Sequence, residues 1–92
     1  MVKVTLKGTI VVPAEQLEAV KDALVEHIAL TRAEEGCLVF DVSQSADNPL
    51  AFDVYEEFVD DAAFSAHQAR AKGTHWVEVT SDAKRDFVLS RE

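Results

Sequence analysis

The alternation of hydrophobic and polar residues predicts four strands along this chain. Val2–Val12 alternates over its whole length, with every second residue apolar apart from a glycine at position 8. The same period of two recurs at 37–43, 52–58 and 85–90. Alternation of this kind, rich in β-branched and aromatic residues, is typical of strands with one buried face.

Helices are predicted where apolar residues recur every three or four positions. Residues 14–33 show such a stripe after Pro13, and a second helix is predicted from Asp60 or Asp61 to Ala71. A short helix is predicted over 75–83. The resulting order, β-α-β-β-α-β with an added helical turn, predicts an α+β, ferredoxin-like fold with a four-stranded antiparallel sheet. We expect residues 1–92 to form a single domain.

The helices of such a fold can cover only one face of the sheet. The row predicted for the opposite face is too apolar for full contact with water, and it comprises Val11, Cys37, Val39, Tyr55 and Val88. A second copy packed there would cover this row, so the sequence predicts a homodimer with its sheets back to back. Cys37 is interpreted as a small packed residue on this dimer side, not as a nucleophile.

Glu56 interrupts an otherwise apolar row between Val54 and Phe58, so its carboxylate is predicted to point into the core. A buried carboxylate needs a partner, and its pKa tends to rise. The obvious partner is His67, on the face of the following helix that must pack on the sheet. The pair could be catalytic, or it could simply fix the helix on the sheet, and the sequence leaves both interpretations open. His27, near the edge of the first helix stripe, is interpreted as a packed side chain.

Composition argues against several partners. The net charge is −8, from 9 basic and 17 acidic residues, and the basic residues are scattered. Nucleic acid and anionic membrane surfaces are therefore not expected as partners. One cysteine and three histidines allow neither an internal disulfide nor a convincing zinc site. No segment resembles a signal peptide or reaches membrane-spanning length, so we expect a cytoplasmic protein.

The whole chain resembles the antibiotic biosynthesis monooxygenase (ABM) domain family. The resemblance is carried by RAEEGCLVFDV at 32–42, by DNPLAFDVYEEFVDDAAFSAH at 47–67 and by HW at 75–76. The family's usual run is an arginine, a glutamate, Pro-Gly-Cys, a strand, a Tyr-Glu-x-aromatic strand end and a helix histidine. Here Glu35 replaces the proline, and Phe58 stands where tryptophan is frequent.

The resemblance implies a small dimeric α/β barrel that oxidises a quinol or polycyclic phenol with dioxygen, without a cofactor or a metal. It implies His67 as base or anion stabiliser and Glu56 as the residue that orients it. The implied pocket residues are Phe40, Tyr55, Phe58, Phe64, His75 and Trp76. A histidine suits this role because its pKa lies near the operating pH. The implied partners are a small aromatic or hydrophobic substrate, dioxygen and a second copy of the chain.

Two other functions stay open. The same His67 and Glu56 could isomerise a small carbonyl compound by proton transfer, and oxygen dependence separates this reaction from oxygenation. Alternatively, the dimer could bind a small hydrophobic ligand without turnover. The haem-degrading branch of the fold is not expected. Sequences that resemble this branch carry an asparagine on the first strand, and Met1–Val12 contains none.

Overall fold

The computed structural model describes residues 2–92 as a sheet of four strands with helices on one face. A 3-10 turn at Ala14–Gln16 leads from the first strand into the first helix. The strands and helices, in chain order, are β1 Val4–Val11, α1 Leu17–Arg32, β2 Cys37–Gln44, β3 Ala51–Phe58, α2 Asp61–Ala71, α3 His75–Val79 and β4 Lys84–Arg91.

The strand order is β2-β3-β1-β4, and every neighbouring pair is antiparallel. This arrangement confirms the predicted α+β, ferredoxin-like fold. The register pairs Leu6 with Glu56 and Phe40 with Glu56, so Glu56 lies in the middle of the sheet between two apolar neighbours. The central strands therefore place this carboxylate beneath the helices, as its position in the alternating row predicts.

Capping side chains define where the two later helices begin. The Asp60 carboxylate accepts a hydrogen bond of 2.8 Å from the Ala63 backbone N–H, and Thr74 caps α3 in the same way. Such caps satisfy N–H groups that have no partner within the helix. Helix α3 ends at Val79, four residues before the predicted end, where the hydroxyl of Thr80 donates to the Trp76 carbonyl at 2.7 Å.

Gly36 allows α2 to approach the end of α1 closely. A β-carbon at this position would lie 2.3 Å from the β-carbon of Ala63, which is far inside van der Waals contact. Gly8 has a comparable role on the sheet, because a β-carbon there would lie 2.0 Å from the Asp86 carbonyl oxygen on β4. Both glycines therefore serve close packing of neighbouring elements.

An irregularity in β2 changes the predicted faces of its first residues. The register shifts between Cys37 and Val39, so Leu38 is displaced to the outside and is 52% exposed. Cys37 instead packs against the inner cluster formed by Val4, Phe58 and Phe64. The prediction that Cys37 lies on the outer face was wrong, because a bulge inserts one residue and reverses the alternation before it.

The outer face of the sheet carries large apolar side chains in contact with solvent. Leu38, Tyr55 and Val88 are all exposed there, while Lys7 and Asp53 supply polar positions between them.

No helix among residues 2–92 is long and apolar enough to cross a membrane.

Candidate functional site

A cavity of about 300 Å³ lies between the inner face of the sheet and the helices. Its size falls at the lower end of the range typical of small-molecule sites. Its walls are mostly apolar, with a small number of polar side chains. The aromatic walls are Phe40, Phe64, Trp76 and Phe87, and the polar side chains are His27, Glu56, His67, Gln68, Lys72 and Arg85.

The ring of His67 is held by the carboxylate of Glu34, which lies in the turn after α1. Its Nδ1 lies 3.0 Å from Oε1 of Glu34 and 3.3 Å from Oε2. A carboxylate can only accept hydrogen bonds, so Nδ1 carries the proton and its N–H donates a hydrogen bond to Glu34. The other ring nitrogen, Nε2, is then the basic atom of the neutral imidazole. It faces Glu56 across the cavity wall at 4.0 Å.

Arg70 fixes Glu34 in place. Its Nε donates to Oε2 of Glu34, and its Nη2 donates to the hydroxyl of Thr31 at 2.9 Å. Thr31 is completely buried at the end of α1. The contacts thus join α1, the turn after it and α2 into one network, which we call the Glu34 network: Thr31, Glu34, His67 and Arg70. Because Arg70 holds the Glu34 carboxylate in place by a hydrogen bond, the orientation of the His67 ring is restricted.

Burial and Glu34 have opposite effects on the pKa of His67. Burial of the ring lowers the pKa below its usual value, and the neighbouring Arg70 charge lowers it further. The Glu34 carboxylate raises it through its charge and its hydrogen bond, but burial prevails. The ring is 7% exposed and is neutral at pH 7. A neutral, oriented imidazole with a free Nε2 can accept a proton.

Among residues 2–92, Oε1 of Glu56 has no hydrogen-bond partner, although the residue is buried and only 7% exposed. Burial raises its pKa to about 7, and the charge of Glu34 contributes in the same direction. The separation of 4.0 Å from His67 is too long for a hydrogen bond. Glu34, and not Glu56, is therefore the hydrogen-bond partner of His67. This corrects the expected hydrogen-bonded pair of His67 and Glu56. Glu56 instead presents an unpaired carboxyl oxygen beside Nε2.

His27 is a packed side chain, as its place at the edge of the stripe predicts, and it also lines the same cavity. Its ring stacks on Trp76 with centroids 4.9 Å apart and lies 5.8 Å from the His67 ring. Its Nδ1 is buried without a hydrogen-bond partner. Burial lowers its pKa to about 4, and His67 and Arg70 add to this effect. His27 is therefore a neutral polar group in the cavity wall at pH 7.

Three residues of the expected pocket lie outside the cavity. Tyr55 is on the opposite face of the sheet, where its hydroxyl donates to Glu57. His75 is exposed at the start of α3, because that helix turns Trp76 inward instead. Phe58 is fully buried behind the cavity wall, with its ring 5.1 Å from that of His67. Phe40, Glu56, Phe64, His67 and Trp76 do line the cavity together.

No group of three or more histidine, cysteine, aspartate or glutamate side chains within residues 2–92 is arranged to hold a metal ion.

The family model for antibiotic biosynthesis monooxygenases matches residues 3–79, which include Glu34, Glu56 and His67. The chain belongs to the antibiotic biosynthesis monooxygenase family. This membership supports a monooxygenase-type function in general and specifies no substrate.

Several solved structures share the fold of this chain. A candidate antibiotic biosynthesis monooxygenase from Nitrosomonas europaea is 28% identical, with a TM-score of 0.80, over 99% of this chain and 89% of that one. A conserved protein from Methanosarcina mazei is 22% identical, with a TM-score of 0.79, over 100% and 94% of the two chains. SnoaB from Streptomyces nogalater, a cofactor-independent oxygenase, has the same fold at 12% identity, with a TM-score of 0.80 over 98% and 92%. Among curated proteins, none matches this chain.

Replacing Glu34 should lower the pKa of His67 in this ABM protein. In Glu34→Gln the ring loses both the charge and the hydrogen bond that raise its pKa, while burial remains. NMR titration of the His67 ring should therefore show its midpoint at lower pH than in the wild type. Glu35→Gln is the matched control, since Glu35 is exposed and does not contact His67. An unchanged midpoint in Glu34→Gln would show that the contact with Glu34 does not form in solution.

Replacing Glu56 should stabilise the protein at alkaline pH. A carboxyl whose pKa is raised from 4.5 to about 7 destabilises the fold as pH rises through this interval, because the folded state resists ionisation. Glu56→Gln should match the wild type near pH 4 and exceed its free energy of unfolding at pH 8, by at most roughly 3 kcal/mol. Urea unfolding at both pH values measures this difference.

Asp53→Asn is the matched control for Glu56→Gln, because Asp53 is an exposed carboxylate on the same strand. It should change stability little at either pH. An equal effect of Glu56→Gln at pH 4 and pH 8 would contradict the raised pKa.

Proposed function

We propose that this protein is a cofactor-independent monooxygenase that oxidises a quinol or polycyclic phenol with dioxygen. The observation that carries the proposal is the neutral His67 ring, whose Nδ1 is held by Glu34 while its Nε2 faces the cavity beside Glu56. The aromatic walls supplied by Phe40, Phe64 and Trp76 suit a flat, apolar ligand. Family membership supports the same class of reaction.

The reaction would begin with proton transfer to His67. Nε2 accepts the proton of a phenolic hydroxyl, which leaves a phenolate and an imidazolium whose Nδ1–H stays on Glu34. The negative charge of Glu34 stabilises this imidazolium where it forms. Glu34 is therefore proposed as the residue that orients His67, the role first expected for Glu56.

The phenolate would then reduce dioxygen directly. A ring carbon made electron-rich by the phenolate bonds to one oxygen and forms a peroxide anion, with the substrate as the only reductant. The imidazolium returns its proton to this anion, which gives a hydroperoxide and leaves Nε2 free again. Nε2 then removes the proton of the C–H bond at that carbon while the O–O bond breaks, so that one oxygen stays as a carbonyl and the other leaves as hydroxide, which takes the same proton and becomes water. Apolar walls favour this sequence because they limit the access of water to the reactive anion.

Isomerisation of a small carbonyl compound is the second candidate. It is favoured by the position of Glu56, whose carboxyl has a pKa of about 7 and lies 4.0 Å from Nε2 of His67. A carboxyl that is partly protonated at pH 7 can donate a proton while the neutral imidazole beside it accepts one, on adjacent atoms of one substrate. This reaction consumes no dioxygen, so oxygen dependence separates the two candidates. Binding without turnover is the third possibility.

Dioxygen uptake tests the oxidation directly. With a panel of hydroquinones, naphthoquinols and anthrone-like phenols, we expect uptake by the wild type above the background of autoxidation. His67→Ala should reduce this uptake by about 10²-fold or more, since general-base catalysis typically contributes this much. Stoichiometric formation of the oxygenated product should accompany uptake.

His75→Ala is the matched control, because His75 is an exposed histidine outside the cavity. Its uptake should equal that of the wild type. Equal uptake by the wild type and His67→Ala would contradict the role of His67, and absence of uptake across the panel would favour isomerisation or simple binding.

We further propose that two copies pack through the outer face of the sheet. The exposed Leu38, Tyr55 and Val88 support this, since several large apolar side chains exposed on one face of a small protein favour association. Sedimentation at micromolar concentration should give a dimer, and Val88→Asp should shift it toward the monomer. Val25→Asp is the matched control, because Val25 is exposed on α1, away from the sheet. A wild-type monomer would contradict this proposal.

A further inference from the structure

Two cations, both exposed to solvent, contribute to the wall of the cavity. Within residues 2–92, neither Lys72 nor Arg85 forms an ion pair, although both contribute to the cavity wall. Most other cations of the chain do have carboxylate partners within 4.0 Å, namely Lys3, Lys21, Arg32, Arg70 and Arg91. Unpaired cations on a cavity wall are available to an anionic ligand.

The rest of the cavity wall does not neutralise these two charges. His27 is neutral at pH 7, and His67 is neutral as well. Glu56 is only partly ionised at this pH because burial raises its pKa to about 7. The wall of the cavity is therefore cationic, although the chain as a whole carries a net charge of −8. An anion would be repelled by most of the surface and attracted to this place.

Arg85 lies at a different level of the sheet from Glu56, the carboxyl beside the proposed base. Strand β1 pairs Leu6 with Glu56 and pairs Ile10 with Arg85. These two levels are four residues apart, which corresponds to about 13 Å along the strand. The long arginine side chain shortens this separation. A ligand that reaches both groups must therefore be elongated, with its polar groups at opposite ends.

The guanidinium of Arg85 is held in place by two hydrogen bonds and keeps free N–H donors. Its Nη1 donates to the Thr80 carbonyl at 3.1 Å, and its Nη2 donates to the Thr80 hydroxyl at 2.9 Å. A guanidinium has five N–H donors, so three remain for a ligand. The contacts with Thr80 fix the group at the cavity wall and reduce the entropy lost when an anion binds.

We infer that the ligand of this cavity is an elongated aromatic carboxylate, with its phenolic hydroxyl at His67 and Glu56 and its carboxylate at Arg85 and Lys72. The inference rests on the proposed function for the place of the hydroxyl, and it adds the charge and the length of the substrate. A neutral phenol of the same shape would leave the two cations unpaired and would bind more weakly.

Binding of two matched, redox-stable compounds tests this inference without turnover. One is 6-hydroxy-2-naphthoate, and the other is its neutral carboxamide, which has nearly the same shape. Trp76 is the only tryptophan of the chain and lines the cavity, so its fluorescence reports binding, and calorimetry gives the affinity. At low ionic strength the carboxylate should bind about tenfold more tightly than the amide. Added salt should reduce this preference.

Variants of the cations identify the source of the preference. Arg85→Gln should abolish most of it, and Lys72→Gln should reduce it. If loss of the Thr80 contacts unfolds Arg85→Gln, Lys72→Gln still tests the inference. The Lys72 side chain makes no hydrogen bond within residues 2–92, so its replacement should leave the fold intact. Lys84→Gln is the matched control, since Lys84 is the adjacent, unpaired cation outside the cavity. It should keep the full preference.

Equal binding of both compounds to the wild type would overturn the inference, as would a preference that survives in both Arg85→Gln and Lys72→Gln. Binding of neither compound would overturn it too. None of these outcomes bears on the oxidation itself, which dioxygen uptake tests with neutral quinols. Conversely, a clear preference for the carboxylate would stand even if no compound were oxidised.

Discussion

The site depends on one hydrogen bond, from Nδ1 of His67 to the carboxylate of Glu34. This contact joins α2 to the turn after α1, and it determines which ring nitrogen carries the proton. Arg70 and Thr31 keep Glu34 in place from the other side. Without this contact the ring could rotate, and Nε2 would no longer face the cavity. The fold and the proposed chemistry thus share the same few side chains.

The cavity itself is unusual in what it leaves unsatisfied. Glu56 and His27 each bury a polar atom without a hydrogen-bond partner, which costs free energy of folding. Unpaired buried groups of this kind, with shifted pKa values, are concentrated at functional sites. The cost is reduced because both groups are wholly or partly neutral at pH 7. A ligand with polar groups at the right places would satisfy them.

Alternation and helical spacing were sufficient to predict the order of elements and the inward position of Glu56. They failed at Cys37, because a bulge leaves no mark in an alternating pattern of apolar residues. Glu34 was not identified as the partner of His67. It lies in a turn, where no periodic pattern predicts the direction of its side chain, and it is 33 residues from His67 in sequence. Its neighbour Gly36 offered the only local signal, because the missing side chain there lets α2 approach. The place of His27 in the cavity wall was not predicted. Its position at the edge of the apolar stripe does not reveal that Trp76 of α3 packs against it.

The protonation state of the His67 ring is the most direct test of this account. Nitrogen NMR of the imidazole at pH 8, with the ring neutral, distinguishes a protonated Nδ1 from a protonated Nε2. The account predicts that Nδ1 carries the proton, donated to Glu34, and that Nε2 is unprotonated and responds to added ligand. A proton on Nε2 would contradict it, because His67 could then neither donate to Glu34 through Nδ1 nor accept a proton from a ligand in the cavity.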